Sequence, residues 1–153
     1  MHFVLALHSL VRWLILLFGL WTLLNALTGV LTKRPFSAGD NRSNLLFMIF
    51  CDVQLLIGLA LYFFGTNGYS LFKNDPQLMT HATNRFFAVE HETMMILAWI
   101  LVHVGRSSVK KAATDAAKHK RMLIFFGLAI IIILAAIPWP FRQEIARPWF
   151  QPF

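Results

Sequence analysis

Four long apolar stretches, separated by short polar segments, set the pattern of this chain. They run from about Phe3 to Leu31, Asn44 to Phe64, Arg85 to Val104 and Met122 to Ile137. Roughly 20 predominantly apolar residues suffice to carry a helix across a bilayer, so each stretch is read as a membrane-spanning helix. The last is stopped by Pro138-Trp139-Pro140, because proline lacks a backbone N–H and clashes with the preceding turn. Between the first two stretches lies TKRPFSAGDNRS, rich in turn residues, with Ser43 a candidate N-cap for the second helix. Gly65 to Asn84 carries further turn chemistry (GTNG, NDP). The segment GRSSVKKAATDAAKHKR is basic and Ala-rich, a composition that can continue as helix. Short connections favour antiparallel neighbours. The expectation is an all-α, integral membrane four-helix up-down bundle forming one transmembrane domain over residues 1–153.

Composition agrees with that class. The chain is 58% hydrophobic and 14% charged, against about 45–50% and 25% in ordinary soluble domains. Its net charge of +7 is concentrated in two blocks. Lys33, Arg34 and Arg42 follow the first span, and Arg106, Lys110, Lys111, Lys118, Lys120 and Arg121 follow the third. The opposite side has only Lys73, Arg85, Arg142 and Arg147. The positive-inside rule then puts the basic loops in the cytoplasm and both termini outside, which in a bacterium means a multi-pass inner-membrane protein. This distribution reports orientation, and no aromatic–basic module of a nucleic-acid binder is present. The single cysteine, Cys51, excludes an internal disulfide, and the absence of CxxC and CxxCH argues against zinc and covalent haem. The N-terminal stretch has no basic leader region, and Arg12 interrupts it, so it reads as a retained first span.

Candidate chemistry centres on RFFAVEHETMMILAWILVH, Arg85 to His103, because charged and imidazole groups near hydrocarbon cost several kcal/mol unless paired, hydrated or bound. His8 and Arg12 are four apart and share a face of the first helix. In an up-down bundle the first and third helices are diagonal, so His8 and His91 are expected to face each other across the outer half of the core. Two neutral imidazoles on facing helices can ligate a b-type haem axially. Arg12 and Arg85 are candidate cations for its propionates, with Met94, Met95, Phe86, Phe87 and Trp99 as soft apolar walls. A second, inner pair of His103 and His119 is weaker. His103 projects about 120° away from His91, and His119 stands in AKHKR, which reads as a solvated basic run. His2 and His81 read as exposed. Asp52, near mid-membrane, is expected to face the bundle interior with Arg12 as its nearest partner. With Gln54, Glu90 and His91 it can form a proton-accepting quinone site, which makes Asp52 and Glu90 the candidate catalytic residues. The structural alternatives are interfacial histidines and a polar clamp between helices.

The strings LHSLVRW, RFFAVEHETMM, AKHKR and IPWPFR together resemble a group of small four-span bacterial membrane proteins, common in Bacteroidetes and labelled cytochrome B. More loosely, the His-bearing helices resemble cytochrome b561-type proteins, whose paired histidines give two stacked haem sites. The resemblance implies haem b and electron transfer. Beside the lipid bilayer, the expected partners are a quinone, a larger respiratory or membrane complex and further copies of the chain. Three readings stay open on the residues alone. One is a haem electron-transfer protein without its own catalytic domain. A second is a non-redox accessory subunit or assembly factor, whose Arg12, Asp52, Glu90 and His91 fix helix register. The third is a small proton or ion conduit through Asp52 and Glu90. A Cu(I) site from His91 with Met94 or Met95 is a further possibility.

Overall fold

The computed structural model describes residues 1–151; Pro152 and Phe153, the end of the aromatic tail, lie outside the described residues. Four long helices carry the fold: α1 (His2–Thr32), α2 (Ala38–Phe64), α3 (Ala82–Lys110) and α4 (Asp115–Ala136). All four are long and apolar enough to cross a bilayer. α1 packs against α2 and α4, and α3 against α4 and α2, so the helices form a ring in which α1 and α3 are diagonal. This is the antiparallel four-helix arrangement that the short connections dictate.

The outside of the bundle is as apolar as its inside. Leu17, Leu24, Leu31, Leu56 and Ile131 are each half or more exposed, whereas Ile15, Phe47, Val102, Met122, Phe126 and Ala129 fill the centre. In water such a surface would have to be covered. In hydrocarbon it is the required surface, and the molecule is a multi-pass membrane protein in contact with lipid. Without a hydrophobic drive between helices, close packing depends on small residues. Gly19, Ala26 and Gly29 on α1 and Ala129 on α4 are accordingly buried.

Two helices start earlier than the apolar pattern indicates. α2 is capped at Ser37, not Ser43: the Ser37 side chain accepts from the Asp40 N–H, and the Asp40 carboxylate accepts from the Ser37 N–H. That reciprocal pair satisfies two donors that a helix start otherwise leaves open. Ser43 lies inside the helix, fully buried, and donates back to the Asp40 carbonyl. α4 starts at Asp115, where the Thr114 side chain accepts from the Ala117 N–H. The basic segment is therefore almost wholly helical, split between the end of α3 and the start of α4.

Candidate site beside the α2–α3 connection

Met1, the α2–α3 connection and the tail as far as Gln151 meet at one end of the bundle, and a cavity of about 490 Å³ opens there. Its walls include His8, Arg12, Gln54, Phe87, His91, Glu92, Met95, Trp99 and Arg147. That volume is within the range of small-molecule and cofactor sites.

His91 is aimed by two local devices. The first is a π-helical turn over Phe86–Glu90, an extra residue wound into α3 immediately before it. Such turns re-aim side chains and concentrate at functional sites. The second comes from α4. Its last carbonyls would normally pair four residues onward, but Pro138 and Pro140 have no N–H to give. The Leu134 carbonyl is taken by Trp139 Nε1 at 2.9 Å, and the Ala136 carbonyl by His91 Nδ1 at 2.9 Å. A carbonyl oxygen only accepts, so Nδ1 carries the proton and, in the neutral ring, Nε2 keeps its lone pair.

His8 reaches the same space from α1. The two ring centroids are 6.3 Å apart, with planes inclined at 63°. Imidazole nitrogens lie about 1 Å from the ring centre and about 2 Å from a bound metal, so two rings sharing one metal ion have centres roughly 6 Å apart. The facing pair expected from the diagonal arrangement is present. Three buried polar atoms on these walls have no hydrogen-bond partner: His8 Nδ1, Arg12 Nε and Gln54 Oε1. Buried polar atoms are rarely left so, and these suit a site whose ligand completes them. Gln54 Nε2 is committed, donating to the His8 carbonyl at 2.9 Å.

The other expected residues are distributed differently. Arg12 does not reach Asp52; it donates to Ser9 Oγ at 3.3 Å and to the Trp149 carbonyl, which Trp13 Nε1 also binds at 3.2 Å. Trp149 of the C-terminal tail is thus held against the N-terminal half of α1. Arg85 and Glu90 bind each other at 2.7 Å, and neither is among the cavity walls. The second cation at the cavity is instead Arg147, whose guanidinium lies 4.6 Å from the Phe87 ring centre. Of the expected soft walls, Phe87, Met95 and Trp99 line the cavity, Phe86 packs on the His91 ring at 5.8 Å, and Met94 is not among the lining residues. Asp52 faces α3, half-buried, where its Oδ1 accepts from Trp99 Nε1 at 2.6 Å and from His103 Nε2 at 2.7 Å. It is thereby separated from Glu90 and its Arg85 partner. His119 is not a surface residue: it is fully buried against Gly29 of α1 and the Phe36 ring. His103 and His119 are each drawn to different neighbours. Sequence reasoning passed over Arg147 and Glu92, which stand close to the aromatic and imidazole positions it did select.

At the opposite, basic end a polar cluster is sealed inside the bundle. Asp40, Ser43 and Asn44 are fully buried. Arg34 grips both Asp40 oxygens at 2.6 and 2.7 Å, and Arg106 donates to Asn44 and Asn41. Comparison with protein families, curated proteins and solved structures finds no match to the chain.

Proposed function

We propose that this is an integral b-type haem protein that transfers electrons within the bacterial inner membrane, with His8 and His91 as the axial ligands. The observation that carries the proposal is the His8–His91 pair, 6.3 Å apart at a cavity between diagonal helices. The His91 Nδ1 bond to Ala136 supports it further, since a ligating histidine is normally oriented through its other nitrogen. Arg12 and Arg147 are the cations available to anionic propionates, and Phe87, Met95 and Trp99 form the apolar wall. A haem iron held there supplies reversible one-electron storage. The concentration of basic residues at the opposite end supports a periplasmic side for this site. In this reading the electrons come from and pass to separate redox partners.

The test is an optical spectrum of detergent-purified protein, oxidised and then reduced with dithionite, with haem quantified as the pyridine haemochrome. The expected result is a sharp reduced α-band at near one haem per chain, lost in folded His91→Ala protein. Full haem retention by that variant overturns the ligand assignment. A second reading, an accessory subunit held in register by buried polar contacts, is favoured by the sealed Asp40–Arg34–Asn44–Arg106 cluster. It predicts a colourless protein from haem-replete cells that co-purifies with a larger complex.

A further inference from the structure

Asp52, Trp99 and His103 form a polar site on the lipid-facing side of the bundle. We propose that it binds the ring of a lipid-soluble quinone or quinol. The three groups are tightly organised. One carboxylate oxygen takes both the indole and the imidazole N–H, at 2.6 and 2.7 Å, and the two rings lie 4.4 Å apart. Yet the constellation is not sealed. The Asp52 side chain is 38% exposed and that of His103 36%, on the outside of a bundle whose outer surface meets hydrocarbon.

A hydrogen-bonded acid–imidazole pair open to lipid is costly in place, and the polar contacts sealed inside the bundle lie elsewhere, at Asp40 and Asn44. The remaining capacity is chemical. Asp52 Oδ2 is left to accept, and the imidazole is left with its other nitrogen. The surroundings select the ligand. Leu56 stands one turn from Asp52 on the same face of α2, and Ile100 one turn from His103 on the same face of α3, both of them exposed and apolar. A fitting molecule therefore arrives through the bilayer. It carries hydrogen-bonding oxygens on a flat ring that the indole and imidazole planes can meet, and an apolar tail for the surrounding rim. Water-soluble ligands fail the second requirement and ordinary lipid acyl chains the first.

Trp99 gives the site its place in the molecule. The same side chain that bonds Asp52 also lines the cavity holding His8 and His91. The quinone site and the proposed haem site thus share one aromatic wall. Assigning the site a role in electron delivery rests on the haem reading; the binding itself does not.

The experiment is binding of decylubiquinone, and of a short-tailed menaquinone, to the full chain in nanodiscs of quinone-free lipid, followed by titration calorimetry. Wild-type protein is expected to bind one of them saturably at about one per chain. Asp52→Ala and His103→Leu are each expected to weaken it tenfold or more, with haem content unchanged. Trp99→Phe, the mildest change, keeps the ring and loses the indole donor; it is expected to weaken binding by a smaller factor if the larger substitutions fail to fold. Equal binding by wild type and folded variants overturns the proposal. So does efficient disulfide cross-linking of Leu56→Cys chains in a Cys51→Ser background with no quinone binding, which would show a second copy covering this face. Binding by colourless protein, lost in the variants, sustains this site while removing the haem reading.

Discussion

The imidazole of His119 occupies the space where a side chain on Gly29 would stand. A Cβ on Gly29 would lie 2.1 Å from His119 Nδ1 and no farther than 2.4 Å from its two ring neighbours. α1 and α4 approach closely at this level because one has no side chain and the other fills the notch. Gly29→Ala is expected to destabilise the bundle by about 2–3 kcal/mol through overpacking, read as a fall in thermal midpoint in detergent. Because the clash is between these two residues, Gly29→Ala/His119→Ala should be markedly more stable than the sum of the single effects. Strict additivity would show that the notch is filled by something else.

The Asp40 carboxylate takes part in more hydrogen bonds than any other carboxylate among the described residues. It accepts from Ser37 N–H and Oγ–H at 2.7 Å, takes both Arg34 guanidinium nitrogens, and is itself fully buried. Asp40→Ala removes the cap and the ion pair together. Arg34 is partly exposed and can rehydrate, so the cost should fall at about 2–3 kcal/mol, short of that for a wholly buried pair. Hydrogen exchange should show the loss first in the opening turns of α2. An unchanged exchange pattern there would count against the cap as the anchor.

Pro138 and Pro140 keep the end of α4 open for His91. Pro138→Ala/Pro140→Ala restores two N–H groups and lets the helix continue, so the residue-140 N–H competes for the Ala136 carbonyl. His91 then loses the partner that fixes its tautomer. Where haem is held as proposed, its dissociation should quicken by about tenfold, measured by transfer to an apo-globin acceptor. No change in the rate would mean that the ring is oriented by packing against Phe86 alone.

The α2–α3 connection is tied by Asp75. Its carboxylate accepts from Asn84 Nδ2 at 2.7 Å, meets His81 Nδ1 at 2.8 Å and accepts from the Gln77 N–H at 3.0 Å. The Asn84 bond, then the His81 bond, hold its pKa below the ordinary carboxylate value. A lowered folded-state pKa means that the tie is fully present above the ordinary carboxylate range, about pH 4, and lost as pH falls through the lower folded value. Limited proteolysis of residues 65–81 should therefore stay slow at neutral pH and accelerate only in acid. Acceleration already between pH 7 and 5 would assign the tie to another group.

How much of this was legible in the sequence depended on whether a feature is set along one helix or between two. The four spans, and the facing of His8 and His91 across a diagonal, follow from apolar length and antiparallel connection. The burial of His119 was legible too, had the helix been started earlier. His119, Met122, Phe126, Ala129, Ile133 and Ala136 repeat at helical spacing and form the inward stripe of α4. The basic neighbours Lys118 and Lys120 masked that register. The Ser37-x-x-Asp40 cap was likewise a visible signal that the competing Ser43 displaced. The pairing of Asp52 with Trp99 and His103 was not legible. It depends on the axial offset and relative rotation of α2 against α3, which no pattern along either helix states.

That inserted turn, Phe86–Glu90, splits α3 into two lengths with independent rotational settings. In a regular helix, losing one residue swings everything on one side of it by about 100° and draws it in by about 1.5 Å. Here, deleting Ala88 would regularise the winding. Arg85 and the connection bonded to it at Met79 would swing, while His91, Trp99 and His103 keep their bearings on α4 and α2. The α2–α3 connection can thus be lengthened, shortened or re-seated against a different neighbour without turning the remainder of the helix. The turn works as a joint between the connecting segment and the part of the helix that has to hold its aim.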